Sequence, residues 1–188
     1  MRLIHDNIVI MGMKHSGKTT HGKLIAEKAG ESFIDTDHLI EEIYFSETGR
    51  HLTCREIYLE EGDVVFRKME HDSLHAIEKR LKSGEKAVIS LGGGLVANPE
   101  LEEIMSRIGI VVYLQVPYDI LFSRIMANGT PPFLDTADPY ETFLQICKER
   151  EPYYFKYEHL TVDLGNLPIP EANNLIETRI KEYFKQKS

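Results

Sequence analysis

Short apolar runs alternate with segments of helical periodicity along the whole chain. Ile8-Val9-Ile10-Met11 is a mostly β-branched run stopped by Gly12. Ser32-Phe33-Ile34, Lys86–Leu91, Ile110–Val116 and Leu160–Asp163 read as four more strands. The segments between them space their apolar residues as helices do. Thr19–Ala29 ends at Gly30, and a helix opened by Leu39, Ile40, Ile43 and Tyr44 ends at Gly49. Thr53-Cys54-Arg55-Glu56 has the spacing of a capping box and starts the next helix. A long helix follows Gly62 and carries Phe66, Met69, Leu74, Ile77 and Leu81. Asn98-Pro99 reads as an N-cap with proline at the first helical position. Further helices are expected from Pro117 to about Asn128 and from Tyr140 to Tyr154, with a C-terminal one lined by Ala172, Leu175, Ile176, Ile180 and Tyr183. Residues 129–139 are turn-rich and read as a mobile loop. Five apolar strands alternating with helices predict an α/β fold, a three-layer sandwich with a parallel sheet covered on both faces. No linker or repeat divides the 188 residues, so a single domain is expected.

Composition narrows the partners. The net charge is −8, which disfavours a nucleic-acid surface but leaves room for one cationic cleft. No apolar run approaches the ~18 residues that cross a bilayer. The first seven residues, Met1 to Asn7, do not resemble a secretory signal. Cys54 and Cys147 lie far apart without C-x-x-C spacing and read as free thiols of a cytoplasmic protein. No heptad or apolar patch signals an oligomer, so a monomer is expected.

The most specific chemistry follows the first strand. Gly12-Met13-Lys14-His15-Ser16-Gly17-Lys18-Thr19 matches G-x-x-x-x-G-K-[ST], with a strand before it and a helix after it. Glycines let backbone amides turn in around phosphate oxygens, and the helix N-terminus adds partial positive charge. Lys18 is placed to reach the β- and γ-phosphates, and the Thr19 hydroxyl to ligate Mg²⁺. Gly12, Lys14, His15, Ser16, Gly17, Lys18, Thr19 and Thr20 are therefore the phosphate-side candidates, with ATP and Mg²⁺ as cofactors.

Four further features suit a second substrate. Asp35-Thr36-Asp37 follows the second strand, where carboxylates face the ligand crevice of an open parallel sheet. One carboxylate could support Mg²⁺ and the other accept a hydroxyl proton, although Asp37 also reads as a helix cap. Arg67 and Glu70 share a helical face, which fits either a carboxylate grip or an ordinary ion pair. Gly92-Gly93-Gly94 ends a central-type strand, either as a loop or as a close approach to a ligand. Arg150 in Arg-Glu-Pro-Tyr-Tyr sits where a helix is expected to end, so macrodipole pairing would also account for it.

Taken in order, these segments resemble the shikimate kinases from about Ile8 to Asp163. The matching motifs are the phosphate loop, Asp-Thr-Asp, Glu-Gly-Asp-x-x-Phe-Arg-x-x-Glu, Ser-Leu-Gly-Gly-Gly, Val-Val-Tyr-Leu and Arg-x-Pro-x-Tyr. The resemblance implies a nucleoside-monophosphate-kinase-like P-loop fold with a five-stranded parallel sheet. It implies transfer of the ATP γ-phosphate to the 3-hydroxyl of shikimate, with Mg²⁺. It assigns phosphate and metal to Lys18 and Thr19, the Mg²⁺ shell to Asp35, and the substrate hydroxyls and proton to Asp37. Arg67 and Arg150 would clamp the carboxylate, and the Gly92, Gly93 and Gly94 backbone would meet the ring hydroxyls. Arg124 and Pro168 would form the adenine slot. The acceptor segment is expected at about residues 37–70 and the lid at 129–139.

The resemblance breaks at the lid. Where the family carries Arg-Pro-Leu-Leu, this chain has Pro131-Pro132-Phe133-Leu134, and no Lys or Arg stands between Ile125 and Cys147. A finger arginine is worth about 10³–10⁵ in phosphoryl-transfer rate. His15 also replaces the family's usual glycine, and Lys14 and His15 could add charge beside the phosphates, Lys14 taking over part of the lid's role. Two alternatives stand beside the shikimate kinase reading: a nucleotide- and ligand-binding protein with little catalysis, and a kinase for another small hydroxy acid or polyol. His71 and His75, at i and i+4, have no third metal ligand in sequence and read as surface histidines.

Overall fold

The structure, a computed structural model, describes residues 6–98, 101–127 and 129–187. Pro99 and Asn128, which carry two of the expected helix boundaries, lie outside the described residues, as do Met1 to His5. Five strands form: β1 (Ile8–Met11), β2 (Ser32–Asp35), β3 (Ala87–Ser90), β4 (Ile110–Gln115) and β5 (Leu160–Asp163). They make one parallel sheet in the order β2-β3-β1-β4-β5. Seven helices are described: α1 (Lys18–Ala29), α2 (Thr36–Thr48), α3 (Cys54–Lys82), α4 (Leu101–Ile108), α5 (Tyr118–Met126), α6 (Pro139–Tyr157) and α7 (Ile169–Lys187).

The central strand β1 is fully buried, and β3 and β4 flank it with Ile8 opposite both Val88 and Ile110. Burying a strand on both faces selects the β-branched residues found here, each worth roughly 1.5–3 kcal/mol. Chain direction reverses its walk across the sheet at β1. Loops leaving the C-terminal ends of β1, β2 and β3 therefore open onto one crevice, the place where open α/β sheets hold ligands. A smaller core of Ile40, Tyr44, Ile57 and Met69 joins α2 to α3 beside that crevice.

Local signals explain most boundaries. Gly30 and Gly49 end α1 and α2 with φ of 69° and 72°, a backbone that glycine takes without strain. The Thr53–Glu56 capping box forms in both directions. At Gly62 (φ 81°, ψ 176°) α3 breaks, so the expected long helix starts there while the segment before it is also helical.

One expectation needs correction. Arg150 does not end a helix: α6 passes through Pro152 and continues to Tyr157, two turns further. The helix holds because Tyr154 is fully buried and stacks on Tyr113 at 4.9 Å. A macrodipole acts within the last turn, so it does not account for Arg150. Of the Tyr153-Tyr154-Phe155 run, only Tyr154 belongs to the core; its neighbours are exposed. Within the turn-rich segment 129–139, a 3₁₀ turn (Pro132–Leu134) buries Leu134 completely.

Candidate functional site

The phosphate loop wraps the N-terminus of α1. Gly12 has φ 154°, and a Cβ there would sit 2.7 Å from the Leu114 carbonyl oxygen and 2.8 Å from Ser16 Oγ. Only glycine fits. Gly17 turns the chain into the helix with φ 94°. His15 adopts φ 65°, the described non-glycine residue with a left-handed backbone, in a position that favours glycine. Lys18 folds back along the loop and donates to the carbonyls of Gly12 and Met13, both at 3.0 Å. Ser16 is buried, and its hydroxyl has no hydrogen-bond partner among the described residues.

Burial pulls the Lys18 ammonium down to about 8, against the pull of the Asp37 and Asp35 carboxylates, and Arg150 and Lys14 lower it further. The His15 imidazole is also held below its usual range, first by burial and then by Lys14, Lys18 and Arg124. His15 is therefore neutral near pH 7 and does not add the charge expected of it. Lys14 is exposed and has no hydrogen-bond or ion-pair partner among the described residues.

Thr19 and Asp35 meet directly: the Thr19 hydroxyl donates to Asp35 Oδ2 at 2.8 Å. Asp35 also caps α2 by accepting from the Asp37 amide at 3.1 Å. The cap is thus Asp35, which leaves the Asp37 side chain for the crevice. One hydroxyl and one carboxylate at the phosphate end is a donor set that suits Mg²⁺, which is usually held by one or two carboxylates, waters and substrate phosphates. No cluster of three or more His, Cys, Asp or Glu side chains able to hold a metal exists among the described residues. His71 and His75 stand with their Nε2 atoms 3.0 Å apart, without a third ligand among those residues.

Asp37 is open to solvent yet walled by protein. That crowding raises its carboxyl above the usual value, helped by the Asp35 charge and opposed by Lys18. A Cβ on Gly92 would fall 2.2 Å from Asp37 Oδ1. The Gly92 amide donates to the buried Thr36 hydroxyl at 2.7 Å. Thr36 thus ties the loop after β3 to the start of α2 and fixes the seat of Asp37. Gly93 approaches the other wall: a Cβ there would lie 3.6 Å from Arg150 Nη1 and 3.9 Å from both the Gly12 carbonyl and the Lys14 amide. Gly94 opens the 3₁₀ turn Leu95–Ala97 and faces empty space. Arg150 is half-buried and forms no ion pair or hydrogen bond among the described residues.

Arg67 pairs with Glu70 at 2.7 Å and more loosely with Asp63 at 3.4 Å. Glu70 is buried, and the Asn98 amide donates to the same Oε2 at 3.3 Å. The surface ion pair is therefore anchored on one side. Asn98 also adjoins α4, where its backbone carbonyl accepts from the Leu101 amide at 3.1 Å. Arg150 lies directly beside Gly93, and Arg67 stands on α3, joined to Asn98 through their shared partner Glu70. Sequence reasoning missed Thr36 and Asn98 as positioning residues, because their partners lie 56 and 28 positions away.

The opposite end of the phosphate loop opens into a cleft of about 400 Å³. Ser16, Gly17, Thr20, Arg124 and Pro168 all line it, so the two residues expected to flank a base share one cavity. Arg124 donates to the His15 carbonyl at 3.3 Å and to Asn166 at 3.5 Å, which holds its guanidinium along the cleft. His21, which sequence reasoning passed over, lines it too.

Comparison with known proteins agrees with this geometry. A sequence model of the shikimate kinase family matches residues 14–183. The shikimate kinase of Symbiobacterium thermophilum is 34% identical over 158 residues, 83% of this chain and 85% of that one. Among solved structures, the Acinetobacter baumannii shikimate kinase in complex with shikimate superposes with a TM-score of 0.78 at 30% identity, covering 97% of this chain and 94% of that one. The Bacteroides thetaiotaomicron shikimate kinase gives 0.79 at 30% identity, covering 96% and 98%. The crevice, its phosphate loop and its acceptor wall thus belong to a scaffold shared along nearly the whole length, and this chain belongs to the shikimate kinase family.

Proposed function

We propose that this chain is a shikimate kinase that transfers the γ-phosphate of ATP to the 3-hydroxyl of shikimate. The observation that carries the reading is Arg150. A half-buried guanidinium without a protein partner among the described residues stands beside Gly93, within reach of both the phosphate loop and the acceptor wall. A carboxylate-bearing substrate supplies the partner it lacks.

The nucleoside takes the cleft of Arg124 and Pro168, and the phosphates take the amides of the loop from Lys14 to Thr20. Lys18 holds phosphate oxygens with its ammonium. Thr19 and Asp35 would hold Mg²⁺, which when bound supplies positive charge against the phosphates. Arg150 and Arg67 orient the substrate carboxylate. Asp37, seated by Gly92 and Thr36, takes the proton of the attacking hydroxyl; its raised affinity for protons suits that task. Pro131 leaves the segment that would close over the phosphates without a cation. The two free thiols fit a reducing cytoplasm, and no described helix is long and apolar enough to cross a membrane.

The test is ADP release from ATP and Mg²⁺, with and without shikimate, beside a Pro131→Arg variant. Shikimate-dependent release by the parent chain is expected. Release by the variant alone would make the parent a binding protein that has lost a catalytic cation. Silence from both would remove shikimate as the acceptor.

A further inference from the structure

His21 occupies a place in the nucleotide cleft that its neighbours define completely. It is 4% exposed and sits on α1 one turn beyond Gly17, so it faces the nucleoside end of the cleft, past the phosphates. Its Nδ1 lies 3.3 Å from Asn173 Oδ1. The orientation of that amide is fixed in turn, because Asn173 Nδ2 lies 2.9 Å from Glu177 Oε1 and a carboxylate only accepts. Glu177, at the base of the chain, is buried and pairs with Lys28 at 2.7 Å and Lys181 at 3.7 Å. Asn173 therefore presents its oxygen to His21, and Nδ1 must carry the proton. Nε2 is left with its lone pair.

Nε2 lies 3.1 Å from where a Gly17 Cβ would be, at the cleft wall, and no described residue donates to it. The cleft thus offers a fixed hydrogen-bond acceptor beside Arg124 and Pro168.

Resting on the nucleotide-binding reading above, we infer that His21 selects the base: its Nε2 accepts from the exocyclic amino group of adenine and disfavours a base with a carbonyl in that place. Arg124 and Pro168 offer flat contact to any purine. His21 adds to the cleft an acceptor that separates an amino edge from an oxo edge.

The experiment compares dissociation constants for ADP and IDP, whose bases differ in the 6-amino and 6-oxo groups, by calorimetry without any acceptor. The parent chain is expected to prefer ADP by about tenfold, near the upper end for one hydrogen bond. His21→Val should bring the ratio below about threefold, and His21→Gln, which keeps an acceptor, should retain more of it. If His21 only braces α1 against α7, both affinities fall together and the ratio stays at its parental value, which overturns the inference. A parent that does not discriminate overturns it as well. A parent that binds neither nucleotide defeats the kinase reading itself, and the inference with it.

Discussion

Gly92→Ala isolates the seat of Asp37. Gly92 has no left-handed φ, so the backbone accepts alanine. The added methyl would lie 2.2 Å from Asp37 Oδ1 and 3.2 Å from Thr36 Oγ1. Real Cβ contacts almost never fall under 3.0 Å, so the carboxylate must retreat by at least 0.8 Å. Displacing a reacting group by roughly 1 Å costs on the order of 10²-fold in rate, equivalent to about 2.7 kcal/mol of activation free energy. The moving atom is the free end of an exposed side chain, so the fold should hold, with Tm within about 3 °C of the parent. Steady-state assay should show kcat down about 100-fold with the KM for ATP within about twofold. Gly94→Ala, whose methyl meets no atom within 4 Å, controls for stiffening the glycine loop and should keep kcat within about threefold. Activity of Gly92→Ala within threefold of the parent would refute the role given to Asp37.

Three further outcomes follow from the site. We propose that Lys14, whose charge reaches both Lys18 and Asp37, takes over part of the missing lid charge; Lys14→Ala should then lower kcat by about 100-fold, and adding Pro131→Arg should restore most of it. Unchanged turnover in Lys14→Ala would remove that role. Because Lys18 loses its proton near 8 in the free protein, kcat/KM for ATP should fall as pH rises through that value, and Lys18→Arg should abolish this alkaline limb. Asp35→Asn should raise the Mg²⁺ concentration for half-maximal activity by about 10–100-fold, since Asp35 orients Thr19; a titration that superposes on the parent's would exclude it from the metal site.

Sequence and structure agree where the information is local. The phosphate loop is legible because its glycines answer backbone demands within eight residues, and Gly12 and Gly17 adopt the conformations that require them. The inner strands β3, β1 and β4 are legible because a strand buried on both faces must be largely apolar, whereas the edge strands β2 and β5 are only partly buried. Arg150 was misplaced for the opposite reason. Pro152 is a local stop signal, and the helix overrides it through Tyr154 packing on Tyr113, a contact across 41 positions that periodicity does not encode. His21 was invisible for the same cause. In sequence it is one more residue of a helix, and its chemistry is set by Asn173, 152 positions away. His15 shows a subtler limit: its charge state depends on the cations that the fold gathers around it. The acceptor residues were ambiguous one at a time, and became readable only as an ordered series resembling one family.

The central claim is a phosphoryl transfer to one hydroxyl, and product identity tests it most directly. The full chain, incubated with ATP, Mg²⁺ and shikimate, would be followed by phosphorus and proton magnetic resonance. The account predicts ADP together with a single phosphate monoester on the 3-hydroxyl of shikimate. Release of inorganic phosphate with shikimate unmodified, or an ester at another hydroxyl, would contradict it.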